Sequence, residues 1–154
     1  MAYRKPQAAL IVFAFFLWSC APLISQYDAE SYKNATSLKA EVEALVDSSS
    51  EDYVIHKKDV EELTTKVNIA YEYAAGIPNN TISARQWDVL RDPDGTLYGE
   101  FIRVWKQQRT LGPVFRSEVR KQLDEAFDYI ICLEANKKVT EACSSKAGPE
   151  KLSG

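Results

Sequence analysis

Side chains that commonly carry catalysis or bind metal are sparse in this chain of 154 residues. It contains one histidine, His56, with Asp52 four residues before it and Asp59 three residues after it. On a helix, His56 and either aspartate share one face and offer two ligands, whereas zinc sites use three or four protein ligands. We therefore interpret His56 as structural and expect no metal site. Catalysis would require the fold to bring it two carboxylates from other helices.

Two other carboxylate patterns imitate functional motifs. Asp92, Asp94 and Gly95 resemble the middle of a calcium-binding loop, but Leu90 and Phe101 occupy the positions of its first ligand and its bidentate glutamate. This stretch is therefore interpreted as a turn. Elsewhere, two aspartates four residues apart, at positions 124 and 128, imitate an acid-base pair, and solvated surface charge is the ordinary explanation for them.

Nucleophilic and phosphate-binding motifs are absent from the sequence. No serine is framed by glycines, and no glycine-rich loop of the kind that cradles phosphates occurs. We therefore predict a protein that is not an enzyme, with no catalytic residues and no cofactor.

The segment 87–115 combines aromatic residues with arginines and lysines, which together can form hot spots for a partner. Helical spacing favours core packing for three of the aromatic residues, Phe101, Trp105 and Phe115, and leaves Trp87 and Tyr98 as the freer ones. The candidate partner-binding residues are Trp87, Arg91, Tyr98, Trp105 and Arg109.

Apolar residues recur at steps of three and four through most of the chain, which predicts helices. We expect a first helix from Asp28 to about Asp47, and a second that starts near Ser49 and ends at Gly76. These two form an antiparallel hairpin, whose seam can pair with another hairpin of the same chain or of a second copy.

Three further helices follow the hairpin. A short one starts at Ser83, which has Gln86 at capping-box spacing, and ends before Pro93. Longer helices are predicted from Thr96 to about 109 and from Pro113 to about 136. The fold class is all-α, an antiparallel bundle of about four helices with a short helical insert.

The first twenty residues carry a positive start, Arg4 and Lys5, followed by the uncharged apolar run 8–18. This is the pattern of a secretion signal. Eleven apolar residues are too few for a transmembrane helix, which needs about 20. The pattern leaves open simple secretion of the protein, an uncleaved anchor, and lipidation at a cysteine that follows the apolar run.

Residues Leu17, Trp18, Ser19 and Cys20 resemble the lipobox of bacterial lipoproteins. The resemblance implies cleavage before Cys20 and lipid on its thiol, so that the mature protein is held on a membrane. Ala21, which replaces the aspartate that retains many such proteins at the inner membrane, implies the outer membrane of a Gram-negative host, with the domain facing the periplasm. The resemblance covers the leader alone and implies no activity.

The expected domain boundaries follow from these patterns. They are a signal peptide over 1–19, a lipidated tether over 20–27, the bundle over 28–136 and a disordered tail over 137–154, which is poor in apolar residues.

Two cysteines remain after Cys20 is assigned to lipid. In an oxidising compartment Cys132 and Cys143 can form a disulfide, and two free thiols or a link between molecules are the alternatives.

Charge limits the kind of partner. Without Arg4 and Lys5, 17 basic residues face 22 acidic ones, a net charge of −5, which argues against nucleic acid as a ligand. Residues 28–75 carry a net charge of −6 and residues 81–121 a net charge of +3. This asymmetry indicates either a docking face or two halves that attract each other.

Two functional hypotheses remain. The first is a non-enzymatic, lipid-anchored envelope protein that acts as an adaptor for a protein or cell-wall partner, with a homo-oligomer left open. The alternative is a carrier or sensor of an amphipathic ligand held between the helices, which an apolar pocket lined by Trp87, Trp105 and Phe127 would favour.

Overall fold

The computed structural model describes residues 25–137 and Cys143. Within them the chain forms five helices and no strand, which confirms the predicted all-α fold. The helices are α1 (Ala29–Ser48), α2 (Lys57–Gly76), α3 (Thr81–Arg91), α4 (Tyr98–Gln108) and α5 (Pro113–Asn136). The predicted signal peptide, Cys20 and most of the predicted tail lie outside the described residues.

Helices α1, α2 and α5 are three columns of an antiparallel bundle. The side chains of Glu41 and Lys66 meet across α1 and α2, and Lys39 reaches Asp128 across α1 and α5. The seam of the predicted hairpin is therefore covered by α5 and α3 of the same chain.

Helices α3 and α4 together form the fourth column. Arg91 of α3 stacks on Tyr71 of α2, and the hydroxyl of Tyr98 in α4 shares a 3.0 Å hydrogen bond with Thr64. From the first contact to the second, the residue number rises from 91 to 98 along α3 and α4 but falls from 71 to 64 along α2. Both helices therefore run antiparallel to α2. The predicted insert and the predicted third helix are thus halves of one column, with 11 residues each.

The break between α3 and α4 is set by Pro93 and Gly99. Asp92, the residue before the proline, has left the helical region with a ψ of 116°, as the proline ring requires. Gly99 then packs on this turn so closely that a Cβ would lie 2.1 Å from the Asp92 carbonyl oxygen. The column can turn here only because residue 99 lacks a side chain.

The predicted helix starts are partly correct. Asp28 caps α1 by accepting a 2.7 Å hydrogen bond from the Ser31 amide, and Pro113 opens α5 as expected. The start at Ser49 is wrong, since its buried hydroxyl donates to the Val46 carbonyl at the end of α1. The start at Ser83 is also wrong, because α3 begins at Thr81 and Ser83 is buried within it.

The core is filled by large side chains in edge-to-face and stacked contacts. Trp87 meets Phe127 edge to face at 5.9 Å between ring centroids, while Phe101 stacks on Trp105 at 5.7 Å. All four side chains are at most 1% exposed. Aromatic contacts of this kind stabilise the folded state by more than the burial of apolar area alone.

A second, smaller cluster closes the C-terminal end of α5. Cys132 and Cys143 form a disulfide, and Cys143 is buried with Tyr129 and Leu133. The predicted disordered tail is therefore wrong at Cys143, where the disulfide attaches the chain to α5. The other tail residues, apart from Lys137, lie outside the described part of the chain.

Charges of opposite sign pair between the two halves of the chain. Asp47 pairs with Arg120, and Asp52 with Arg109. The charge asymmetry noted in the sequence therefore contributes to attraction between the halves. Asp128 is a surface charge, with a side chain that is 40% exposed, and it also contacts another helix through Lys39 of α1 at 2.9 Å.

Candidate functional site at the distal end of the bundle

The bundle has a proximal end, where Ser25 lies, and a distal end opposite to it. At the proximal end the Ser25 amide donates to the Asn79 carbonyl at 3.1 Å, and its hydroxyl donates to the Asn80 side chain at 2.9 Å. Helix α1 then carries the chain away from this end over 20 residues, about 30 Å at 1.5 Å per residue. The distal end is formed by the α1–α2 turn, residues 49–56, and the α4–α5 connection, residues 109–112.

Three hydrogen bonds to distant residues fix the α1–α2 turn. The Tyr53 amide donates to the Arg109 carbonyl at 2.8 Å, and the Leu111 amide donates to the Ser49 carbonyl at 2.8 Å. From the core, the Trp105 indole N–H donates to the Glu51 carbonyl at 3.0 Å. A turn bound this way loses little conformational entropy when it meets a partner.

Three aliphatic side chains at this end face solvent. Val54 is 57% exposed, Ile55 69% and Val114 84%. Together with His56 and Arg109 they are called the distal surface below. Exposed apolar side chains on a rigid turn are typical of docking sites.

His56 lies beside this surface between two carboxylates. Its Nε2 is 2.9 Å from Glu51 and its Nδ1 is 3.2 Å from Asp59, while its ring lies 5.7 Å from that of Trp105. The hydrogen bond to Glu51 is the main reason that the pKa of His56 is raised, and Asp59 adds to the effect. Glu51 belongs to the α1–α2 turn, as His56 does, and Asp59 belongs to the first turn of α2. The fold therefore does not bring His56 two carboxylates from other helices, which catalysis would require.

Asp52 binds Arg109 instead of His56. Arg109 donates to one carboxylate oxygen through Nε at 3.1 Å and through Nη2 at 2.8 Å. The backbone hydrogen bond from Val54 lowers the pKa of Asp52, and Arg109 acts in the same direction. Arg109 has a φ of 71°, a left-handed conformation that ends α4 and turns the chain towards α5.

The structure corrects the predicted partner-binding set. Trp87 and Tyr98, predicted to be the freer aromatic residues, are 1% and 3% exposed, and Trp105 is fully buried. Arg91 stacks on Tyr71 and pairs with Asp88 along the side of the bundle. Of the five residues, only Arg109 lies exposed on the distal surface.

Sequence reasoning missed the aliphatic part of this surface because it extended the second helix back to Ser49. Val54 and Ile55 do not fit the stripe of that helix, and they follow a polar cluster. Two adjacent β-branched residues at a turn, out of helical register, are the signal that could have identified them.

A small cleft lies between α4 and α5. It has a volume of about 110 Å³ and is lined by residues that include Leu97, Glu100, Phe115 and Glu118. Drug-sized ligands occupy several hundred Å³. Trp87, Trp105 and Phe127 do not line this cleft and pack in the core instead, so they give the carrier hypothesis no support.

Two further findings concern residues 25–137 and Cys143. No group of three or more His, Cys, Asp or Glu side chains among them is arranged to hold a metal ion. None of their helices combines the length and apolar character needed to span a membrane.

Comparisons with protein-family models, curated proteins and solved structures found no match to this chain.

Proposed function

We propose that this protein is a non-enzymatic, lipid-anchored protein of the bacterial envelope that presents its distal surface to a protein partner. The observation that carries the proposal is the rigid α1–α2 turn with Val54 and Ile55 exposed on it. The lipobox resemblance of residues 17–20 supplies the anchor. Lipid on Cys20 would place the protein on the periplasmic face of the outer membrane.

The geometry of the two ends supports an adaptor. Ser25, five residues after Cys20, is bound at the proximal end, while Val54, Ile55 and Val114 lie at the opposite end. A lipid on Cys20 therefore leaves the distal surface free. The anchor also concentrates the protein near other membrane-held proteins, so a modest affinity suffices.

The chemistry of the distal surface favours a protein over a cell-wall glycan. Sugars are commonly bound by exposed aromatic faces, whereas the exposed large apolar residues at this end are aliphatic. Arg109 and the carboxylates around His56 surround them with charge of both signs. An apolar centre with a charged border is the usual form of a protein interface.

The disulfide is consistent with the proposed compartment. Cys132 and Cys143 are joined, and disulfides persist mainly outside the reducing cytoplasm.

The anchor is tested by replacing Cys20 with alanine. The variant should lose the lipid mass and leave the membrane fraction, while the paired replacement Cys132→Ser with Cys143→Ser should keep both. Equal membrane retention of Cys20→Ala would contradict the anchor.

The adaptor role is tested by crosslinking the lipidated protein in its own envelope. Ile55→Glu should abolish one consistent crosslinked protein, because a charge is placed in the apolar centre of the contact. Val89→Glu is the matched control, since Val89 is an exposed valine on α3, 43% accessible, away from the distal surface. Loss of the crosslink in both variants, or in neither, would contradict this role.

A further inference from the structure

The proximal end carries a second exposed apolar group, which contains three tyrosines. Tyr27 is 59% exposed, Tyr32 36% and Tyr73 39%, and Ile69, one turn before Tyr73 on α2, is 60% exposed. These four residues are called the tyrosine patch below. An exposed group of this size on one side of a small domain indicates a contact surface.

Side-chain contacts connect the three tyrosines, directly or through Asp28. The rings of Tyr27 and Tyr32 lie 6.4 Å apart, and the Tyr73 hydroxyl donates to the Asp28 carboxylate at 3.2 Å. Asp28 directly follows Tyr27 and caps α1. Ile69 shares a helix face with Tyr73 because it lies four residues before it.

The patch lies within reach of the anchoring position. Ser25 is the fifth residue after Cys20, and a fully extended chain over these five steps spans about 17 Å. Ile69 lies seven residues before the end of α2, which is about 10 Å along the helix axis. Lipid on Cys20 would therefore allow the whole patch to reach the membrane surface.

Tyrosine is suited to this position because its ring is apolar and its hydroxyl is polar. Tyrosine and tryptophan are enriched where proteins meet the headgroup region of a bilayer. Among residues 25–137 the patch carries no cluster of basic residues, since Lys33 at its border is matched by Glu30 at 3.7 Å. Binding to anionic lipid needs such a cluster, so the charge pattern fits a zwitterionic phospholipid surface.

We infer that the tyrosine patch is a membrane-contact surface, which rests on zwitterionic headgroups and fixes the orientation of the bundle on the bilayer. The inference rests on the proposed lipid anchor and adds to it a defined orientation. With the proximal end on the membrane, the distal surface points away from the anchoring bilayer. A lipid anchor alone would leave the bundle free to rotate about its tether.

Hydroxyl-radical footprinting of the lipidated full-length mature protein on phosphatidylcholine vesicles tests this orientation. Labelling is compared with that of the Cys20→Ala protein in solution, residue by residue, by mass spectrometry. Labelling of the tyrosine patch should fall roughly threefold or more on vesicles, because interfacial side chains are withdrawn from bulk water. Val54, Ile55 and Val114 are the internal control, and their labelling should not change.

A pair of variants gives a second readout. Replacing both Ile69 and Tyr73 by serine should reduce the protection of Tyr27 and Tyr32 while the lipid stays attached. Val54 lies at the distal end and is about as exposed as Ile69. Replacing Val54 by serine should leave the protection of Tyr27 and Tyr32 intact.

The outcomes separate the orientation from the anchor. Intact mass of the same sample shows whether Cys20 carries lipid, and its absence would overturn both proposals. If Cys20 carries lipid but the labelling of the tyrosine patch falls no more on vesicles than that of Val54, Ile55 and Val114, the orientation alone is overturned. Protection of the patch in concentrated Cys20→Ala protein without vesicles, together with a dimer mass, would assign the patch to a second copy and also overturn it.

Discussion

The indole N–H of Trp105 donates a 3.0 Å hydrogen bond to the backbone carbonyl of Glu51, 54 residues earlier in the chain. Trp105 is fully buried in α4, whereas Glu51 belongs to the α1–α2 turn at the distal end. The tryptophan therefore connects the core directly to the proposed docking surface. The rigidity of that surface depends on a residue that a partner cannot touch.

We predict that Trp105→Phe lowers the free energy of unfolding by about 1–3 kcal/mol, because the Glu51 carbonyl loses its donor. Hydrogen exchange at the amides of Tyr53 and Leu111 should accelerate as the turn loosens. Trp87→Phe is the matched control: it should also lower stability but leave exchange at those two amides unchanged. Unchanged exchange in Trp105→Phe would contradict a supporting role.

The ion pairs of His56 should make stability depend on pH. Because Glu51 and Asp59 raise the pKa of His56 above 6.5 in the folded protein, their contribution is complete below about pH 6.5. It is lost as the pH rises through the folded-state pKa. In denaturant titrations at several pH values, the stability difference between wild type and His56→Gln should shrink with rising pH. A constant difference would contradict the pairing.

Gly99→Ala should destabilise the protein strongly. The new Cβ would meet backbone atoms, 2.1 Å from the Asp92 carbonyl oxygen and 2.7 Å from the Pro93 Cα. Overpacking against atoms that cannot rotate away costs about 1–3 kcal/mol or more. Gly76→Ala is the control, because nothing lies within 4 Å of its added Cβ, and it should be neutral or stabilising by up to about 1 kcal/mol. Thermal unfolding of both variants measures the difference.

Removing the disulfide should act mainly at the proximal end. Cys132 and Cys143 are 11 residues apart, and closing a loop of that size contributes at most about 3 kcal/mol. Because Cys143 packs in the separate cluster with Tyr129 and Leu133, the double serine variant should lose hydrogen-exchange protection around residues 129–136. Equal loss of protection at Val42 and Phe101, in the main core, would show instead that the disulfide supports the whole bundle.

Periodicity in the sequence was sufficient to predict the helices, since each one buries a stripe of residues at steps of three and four. Pro93, Gly112 and Pro113 marked their ends because backbone sterics act locally. Caps were harder to predict. Ser49 and Ser83 fit start motifs, but tertiary contacts decide whether such a hydroxyl caps a helix or lies inside one.

Most of the candidate site could not be predicted from the sequence. Aromatic residues beside arginines predicted a surface, yet Trp87 and Tyr98 fill the core, because a four-column bundle buries the faces of α3 and α4 that they occupy. Of the five predicted partner-binding residues, Arg109 alone is exposed on the distal surface. Val54 and Ile55 were missed because a local pattern cannot show that residues 49–56 turn across the end of the bundle.

The sequence by itself determined the helical class and the positions of most helix ends, and it predicts a leader with a candidate lipid site, because these depend on neighbouring residues. Only the tertiary structure decided that α3 and α4 share one column, that Cys132 joins Cys143, and that Tyr27 and Tyr73 lie at the end of the bundle opposite to Val54 and Ile55. Such features depend on contacts between residues distant in the sequence, 11 positions apart for the disulfide and tens of positions apart for the columns. Those contacts are set by how the columns pack together, which no single segment specifies.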